Sequence, residues 1–128
     1  MRDIVVALPS DMGLPELSQA LAASPFEVIG PSEGRLSVRL NSEVVQFVHD
    51  QSLSLHYEEP EELALLATLG KEPNLFLVNF KSTVSLGQVL AYTVDRPDAL
   101  VDNDFGDIEF GSDFVQRFRE RPDWDWIR

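Results

Sequence analysis

At 128 residues, 44% of them hydrophobic, the chain is long enough for one domain with a full core, too short for two and not depleted of apolar residues as disordered chains are. Its 22 acidic against 10 basic side chains leave a formal charge of −12, which repels nucleic-acid phosphates and favours encounter with cations or basic proteins. No cysteine is present, so disulfides, thiolate nucleophiles and Cys-ligated zinc are excluded, and the composition fits a reducing compartment, with the cytoplasm expected.

Residues 3–8, DIVVAL, form a β-branched apolar run suited to a buried strand, ended by Pro9 and the turn-prone Ser10-Asp11. The run is too short for a signal-peptide core or a membrane span, so no membrane association is expected. Pro15 stands where a first helical residue belongs, and Leu14, Leu17 and Leu21 recur at helical spacing before Pro25 prevents continuation. From Phe26 the period changes to two: FEVIG is followed by RLSVRL, where Leu36, Val38 and Leu40 alternate with Arg35, Ser37 and Arg39. EVVQFVH and SLSLHY continue that pattern across the polar connections Asn41-Ser42 and Asp50-Gln51, so an antiparallel meander is expected, residues 43–49 also suiting one helical turn.

EEPEELALLATLG predicts a helix, with Pro60 in the first turn, four glutamates at the positive dipole end, Leu63, Leu66 and Leu69 along one side and Gly70 as stop. NLFLVNF reads as a central strand apolar on both faces. Leu86, Val89, Leu90, Thr93 and Val94 then mark a one-sided helix ended by Pro97. Gly87 inside it implies a close packing contact, since glycine there costs about 1 kcal/mol relative to alanine. Residues 99–102 and 107–110 make short strands joined by 103–106. A last helix runs from the cap Ser112 through Phe114, Val115 and Phe118, with Asp113 at its start, Arg117, Arg119 and Arg121 near its end, and Pro122 as terminator. The expected fold is a single α+β domain over residues 1–128, with an N-terminal strand-helix unit, a β-meander and three further helices packed on one mixed or antiparallel sheet.

The stretch VDNDFGDIEF, residues 101–110, places four carboxylates and one amide around a Phe-Gly pair. As an EF-hand loop starting at Asp102 it fails, because Gly106 falls at position 5, Asp107 takes the glycine position and Asp113 that of the bidentate glutamate. A hairpin connection is expected instead, with Asn103, Asp104 and Gly106 supplying turn conformations and Phe105 and Phe110 reaching toward the core. With so many acids in the chain, the spacing of carboxylate pairs carries no information about glycosidase-like catalysis. His49 and His56 fall on hairpin strands, His56 with Ser52 and Ser54 on the face opposite Leu53, Leu55 and Tyr57, where exposed polar residues belong. The zinc-protease, nucleophile-elbow, P-loop and dinucleotide fingerprints are missing, so no catalytic, cofactor or metal residue is assigned. Glu58, Glu59, Glu61 and Glu62 are at least a helix-start device, and joined to the loop acids they would form one negative surface. The terminal RPDWDWIR holds both tryptophans, which outside a regular element pack back over the core or anchor a partner. In an extended tail Trp124 and Trp126 face one way and Asp125 the other.

Small, acidic, cysteine-free α+β chains of this kind resemble bacterial immunity proteins, and the run DNDFGDIEFGSDFVQRFRERPDWDW, residues 102–126, is similar to the tails of small bacterial proteins of that group. The resemblance implies a non-enzymatic module that needs no cofactor and blocks a basic partner such as a cognate toxin domain. Asp102, Asp104, Asp107, Glu109, Asp123, Trp124, Asp125 and Trp126 are the expected partner-binding residues. Two other classes fit the composition. A small carboxylate-based or cation-dependent hydrolase predicts a pocket of converging acids with perturbed pKa values, and an adaptor or oligomeric subunit predicts an exposed apolar patch.

Overall fold

The computed structural model of the chain describes residues 2–103 and 108–122. Along the chain run β1 (Arg2–Leu8), α1 (Leu14–Leu21), β2 (Glu27–Ser32), β3 (Arg35–Leu40), β4 (Glu43–His49), a 3-10 helix (Gln51–His56), α2 (Pro60–Ala67), β5 (Asn74–Phe80), α3 (Thr83–Thr93), β6 (Leu100–Asp102), β7 (Ile108–Phe110) and α4 (Gly111–Glu120). The seven strands form one sheet in the order β2-β3-β4-β5-β1-β6-β7, with every neighbouring pair antiparallel. The fold is therefore α+β, and of the mixed and antiparallel sheets expected it is the antiparallel one.

An apolar strand without a polar face needs cover on both sides, and β1 and β5 receive it at the middle of the sheet. Ile4, Val6 and Leu8 of β1, with Phe76, Val78 and Phe80 of β5, join one large core under α1, α3 and α4. Val5, Ala7 and Leu75 point to the opposite face, where Leu53, Tyr57, Leu69 and the half-buried Leu65 and Leu66 cover them. Helices thus lie on both faces of the sheet. The β5-α3-β6 segment is a split crossover: β5 and β6 run the same way, and β1 sits between them, antiparallel to each.

The alternating strands β3 and β4 behave as their period requires: Leu36, Val38, Val45 and Phe47 are fully buried on the helix-covered face. Residues 43–49 are a strand, not a helical turn. The connection Asn41-Ser42 is a two-residue turn with φ of 51° and 59°, the left-handed conformation that matches the twist of a tight hairpin. Gly70, at φ 98°, lies three residues beyond the end of α2, where a left-handed residue turns the chain away.

Three expectations need correction. SLSLHY is not a meander strand but most of the 3-10 helix, capped by Asp50, whose carboxylate accepts from Ser52 N at 3.1 Å and Ser52 Oγ at 2.5 Å. The place beside β4 that this segment would need is taken by β5, and Gln51 Oε1 fastens the exchange by accepting from Leu75 N at 2.7 Å. His56 is consequently an exposed helical residue, and Leu55, expected on the buried side, is 75% exposed. On α2 the side packed against the sheet is Leu65 and Leu66, joined by Leu69 just beyond its end, while Leu63 is 49% exposed, because one sheet face can cover only one side of the helix. Finally, α4 starts at Gly111, directly from β7, without Ser112 as its cap. Gly111 N donates to Ala99 O at 2.8 Å and Ser112 N to Arg96 O at 3.1 Å, so the connection between α3 and β6 satisfies helix-start donors that a capping side chain would otherwise take.

Candidate docking surface

The β6-β7 hairpin pairs Leu100 with Phe110, Val101 with Glu109 and Asp102 with Ile108. Opposed residues share a face, so Asp102 points to the α2 side with Leu100, Ile108 and Phe110, whereas Glu109 points to the α4 side with Val101. The two described carboxylates of the loop therefore act on opposite faces of the sheet. Asp102 accepts from Tyr57 Oη at 2.6 Å, which ties the segment leading into α2 to the hairpin. Glu109 lies 3.0 Å from Arg117 Nη2 on α4. Asp104, Asp107, Asp123, Trp124, Asp125 and Trp126 lie outside the described residues.

The second acidic group meets the first through Glu62. Glu58, Glu59 and Glu61 are exposed around the start of α2, with Pro60 as its first residue, and Glu62 is half-buried. A carboxylate-rich first turn is favourable there because the unsatisfied N–H groups carry partial positive charge. Glu62 and Asp102 both line a narrow crevice floored by Val5, Ala7 and Leu100 and bounded by Leu65 and Ile108. Leu65 and Ile108 also line a wider neighbouring hollow of about 460 Å³, whose other walls include Phe110, Glu109, Asp113 and Glu120. The two hollows share these residues, so acids separated by some forty positions in sequence border one surface, with apolar side chains between them. Arg117 is the basic residue in its lining.

Nothing in the hairpin pattern alone could have revealed this. The signal lay in the apolar side of α2, which had to find a sheet face, and in Tyr57, whose ring packs there while its hydroxyl reaches Asp102.

Elsewhere the ionisable groups do structural work. Glu43 accepts from Ser82 Oγ at 2.7 Å and from the buried Ser85 Oγ, and Ser82 Oγ in turn accepts from Ser85 N at 3.2 Å as the cap of α3. The Ser85 hydroxyl first, then that of Ser82, with Lys81 nearby, holds the Glu43 carboxyl below its ordinary value of 4.5. Asn41 donates from the same turn to Ser85 Oγ at 3.1 Å and Gln88 Oε1 at 2.8 Å, so the hairpin tip is stitched to the helix. A depressed folded-state value means that ionised Glu43 stabilises the fold above its unfolded pKa and ceases to as pH falls through the folded one. Glu43→Gln keeps an acceptor and removes the charge. Its melting temperature is expected to fall below that of the parent at neutral pH, and the gap to close in the acid range under pH 4.5. Thermal melts across that range decide it, and a gap independent of pH would refute the charge argument.

Asp98 is similarly held below its usual range by its fork-like hydrogen bonds with Arg96, one of them from Nη2 at 2.7 Å. His49 Nε2 meets Gln51 Oε1 at 3.1 Å and its ring packs on Phe76. Among the described residues no group of three or more His, Asp or Glu side chains is placed to hold a metal ion, and no helix is long and apolar enough to cross a membrane.

Comparison with protein-family models, with curated proteins and with solved structures found no match to this chain.

Proposed function

We propose that this chain is a non-enzymatic binding module, acting in the cytoplasm, that docks its acidic surface on a basic protein and inhibits it, as the resemblance to immunity proteins implies. The observation that carries the reading is that Glu62 of α2 and Asp102 line one crevice, which shares Leu65 and Ile108 with the hollow lined by Glu109, Asp113 and Glu120. Apolar contact at the centre with like charge at the rim is how protein interfaces combine affinity with steering, and one sign of charge selects partners of the other. Leu55 on the 3-10 helix and Leu63 on α2 are further apolar side chains exposed to solvent.

The test is affinity capture with the full chain immobilised, against lysate of the cell it comes from, beside a variant with Glu58, Glu59, Glu61 and Glu62 all replaced by Gln. A retained protein of net positive charge is expected, released by a few hundred millimolar salt and captured by the variant at least about tenfold more weakly. In an activity or growth assay of that protein the chain is expected to suppress its effect. Capture that ignores both salt and the substitutions, or no capture, would overturn the proposal.

A further inference from the structure

The sheet face turned away from α1, α3 and α4 is covered over only part of its width. There α2 and the 3-10 helix close over Val5, Ala7, Leu75 and Leu100, and among the described residues no member of β2, β3 or β4 joins that cluster. Opposed residues share a face, so Ile29, Ser37, Gln46, Asn79 and Asp3 form one row across five strands. Glu27, Arg39 and Val44 form a second row beside it, and Arg35, Val48 and Leu77 a third.

Two properties set this area apart. The first is that it carries exposed apolar side chains among polar groups that already have partners. Ile29 is 45% and Val44 39% exposed. Between them Gln46 Nε2 donates to Ser37 Oγ at 3.2 Å, and Arg39 Nη1 lies 3.5 Å from Glu27 Oε1, so covering the area would bury paired groups, which costs less than burying bare ones. The second is charge. Asp3, Glu27, Arg35 and Arg39 are the charged side chains that the strands turn to this face, and they cancel on a chain of −12. Two copies repel each other wherever acids dominate, but not here. A basic protein is turned away by the two arginines, whereas a second copy brings both signs to match them. Joining edge to edge at β2 is blocked, because the register shifts between Ile29 and Ser32 and Pro31 has no N–H.

We propose that this face pairs with the same face of a second copy, in a two-fold dimer whose sheets stack about 10 Å apart. The copy's sheet then takes the layer that α2 occupies over the rest of the face. Ile29 and Val44, with the half-buried Val48 and Leu77, make the apolar contact, and the acids of each copy offset the arginines of the other. Strands about 4.8 Å apart and rows about 7 Å apart make the patch roughly 20 Å by 14 Å, small for an interface, so the dimer is a weak one.

Sedimentation equilibrium of the full chain, from about 5 to about 500 µM at physiological salt, tests for it. A monomer–dimer equilibrium is expected, with a Kd on the order of 10–100 µM. Val44→Glu is expected to weaken it at least about tenfold. Arg39→Glu should do the same, and adding Glu27→Arg should restore association, which a folding defect would not allow. Because the chain has no cysteine, Ser37→Cys or Gln46→Cys places a single thiol in the middle of the face. A short bis-maleimide is expected to link copies through at least one of these, and not through Gln19→Cys, exposed on α1 behind the sheet. A monomer throughout the range, or a dimer that ignores Val44→Glu and is linked no better at Ser37→Cys and Gln46→Cys than at Gln19→Cys, would overturn the proposal.

Discussion

Gly111→Ala is expected to destabilise the protein by about 3 kcal/mol, the upper end of what overpacking a close contact usually costs. A Cβ built on Gly111 would stand 1.9 Å from the Val94 carbonyl oxygen and 3.0 Å from the Ala99 Cβ. Both obstacles are fixed. The Val94 carbonyl accepts from Arg96 N at 2.7 Å, and Val94 N is bonded to Leu90 O at 2.8 Å, so the end of α3 cannot yield without losing hydrogen bonds. Gly111 cannot retreat either, because its own N–H is held by Ala99 O. The substitution therefore pushes α4 away from α3 and disturbs the wall of the hollow beside β7, so binding of the proposed basic partner should weaken along with the denaturation midpoint. Chemical denaturation gives the first quantity, and a loss under about 1 kcal/mol would show that the contact is looser than described.

Gly87→Ala should cost about 2 kcal/mol through the same helix pair, by a different route. Its added Cβ would lie 2.2 Å from Phe118 Cε1 and 2.4 Å from Cζ. Here the obstacle is a side chain rather than backbone, and alanine returns about 1 kcal/mol of helix propensity, so the net loss is smaller than at Gly111. Relief should come from the partner: combined with Phe118→Leu, Gly87→Ala is expected to cost at least about 1 kcal/mol less than the two single losses added together. Additive losses in that double-mutant cycle would mean that Gly87 and Phe118 do not share the contact.

These glycines show how far the sequence could be read. A glycine inside a helical pattern says that something approaches closely, and Gly87 was legible in that sense; that the visitor is Phe118 of α4 was not, because 31 positions separate them and only packing joins them. Gly111 gave no such signal, since a glycine between a strand and a helix looks like an ordinary connection. SLSLHY misled for a related reason. Alternation fits any segment with a polar and an apolar side, and the competing claims were settled locally by the Asp50 cap and globally by β5 occupying the position next to β4. The candidate docking surface was half legible. Each acidic group could be seen, and Pro60 with its flanking glutamates marked a helix start, but Asp102 and Glu109 alternate across a strand pair, so their separate faces follow only once the hairpin register is known.

Local chemistry along the chain was enough for the class of the fold, the two-sided burial of β1 and β5, the helices ended by proline or glycine, and the excess of negative charge. Those follow from periods of 2 and 3.6 and from backbone preferences, which act over a few residues. Tertiary structure alone decided the antiparallel order with β1 between β5 and β6, the placing of α2 on the second face, and the meeting of Glu62 with Asp102 in a crevice next to the hollow lined by Glu109, Asp113 and Glu120. Such choices depend on which apolar surfaces cover one another most completely, a property of the whole folded chain that no short window contains.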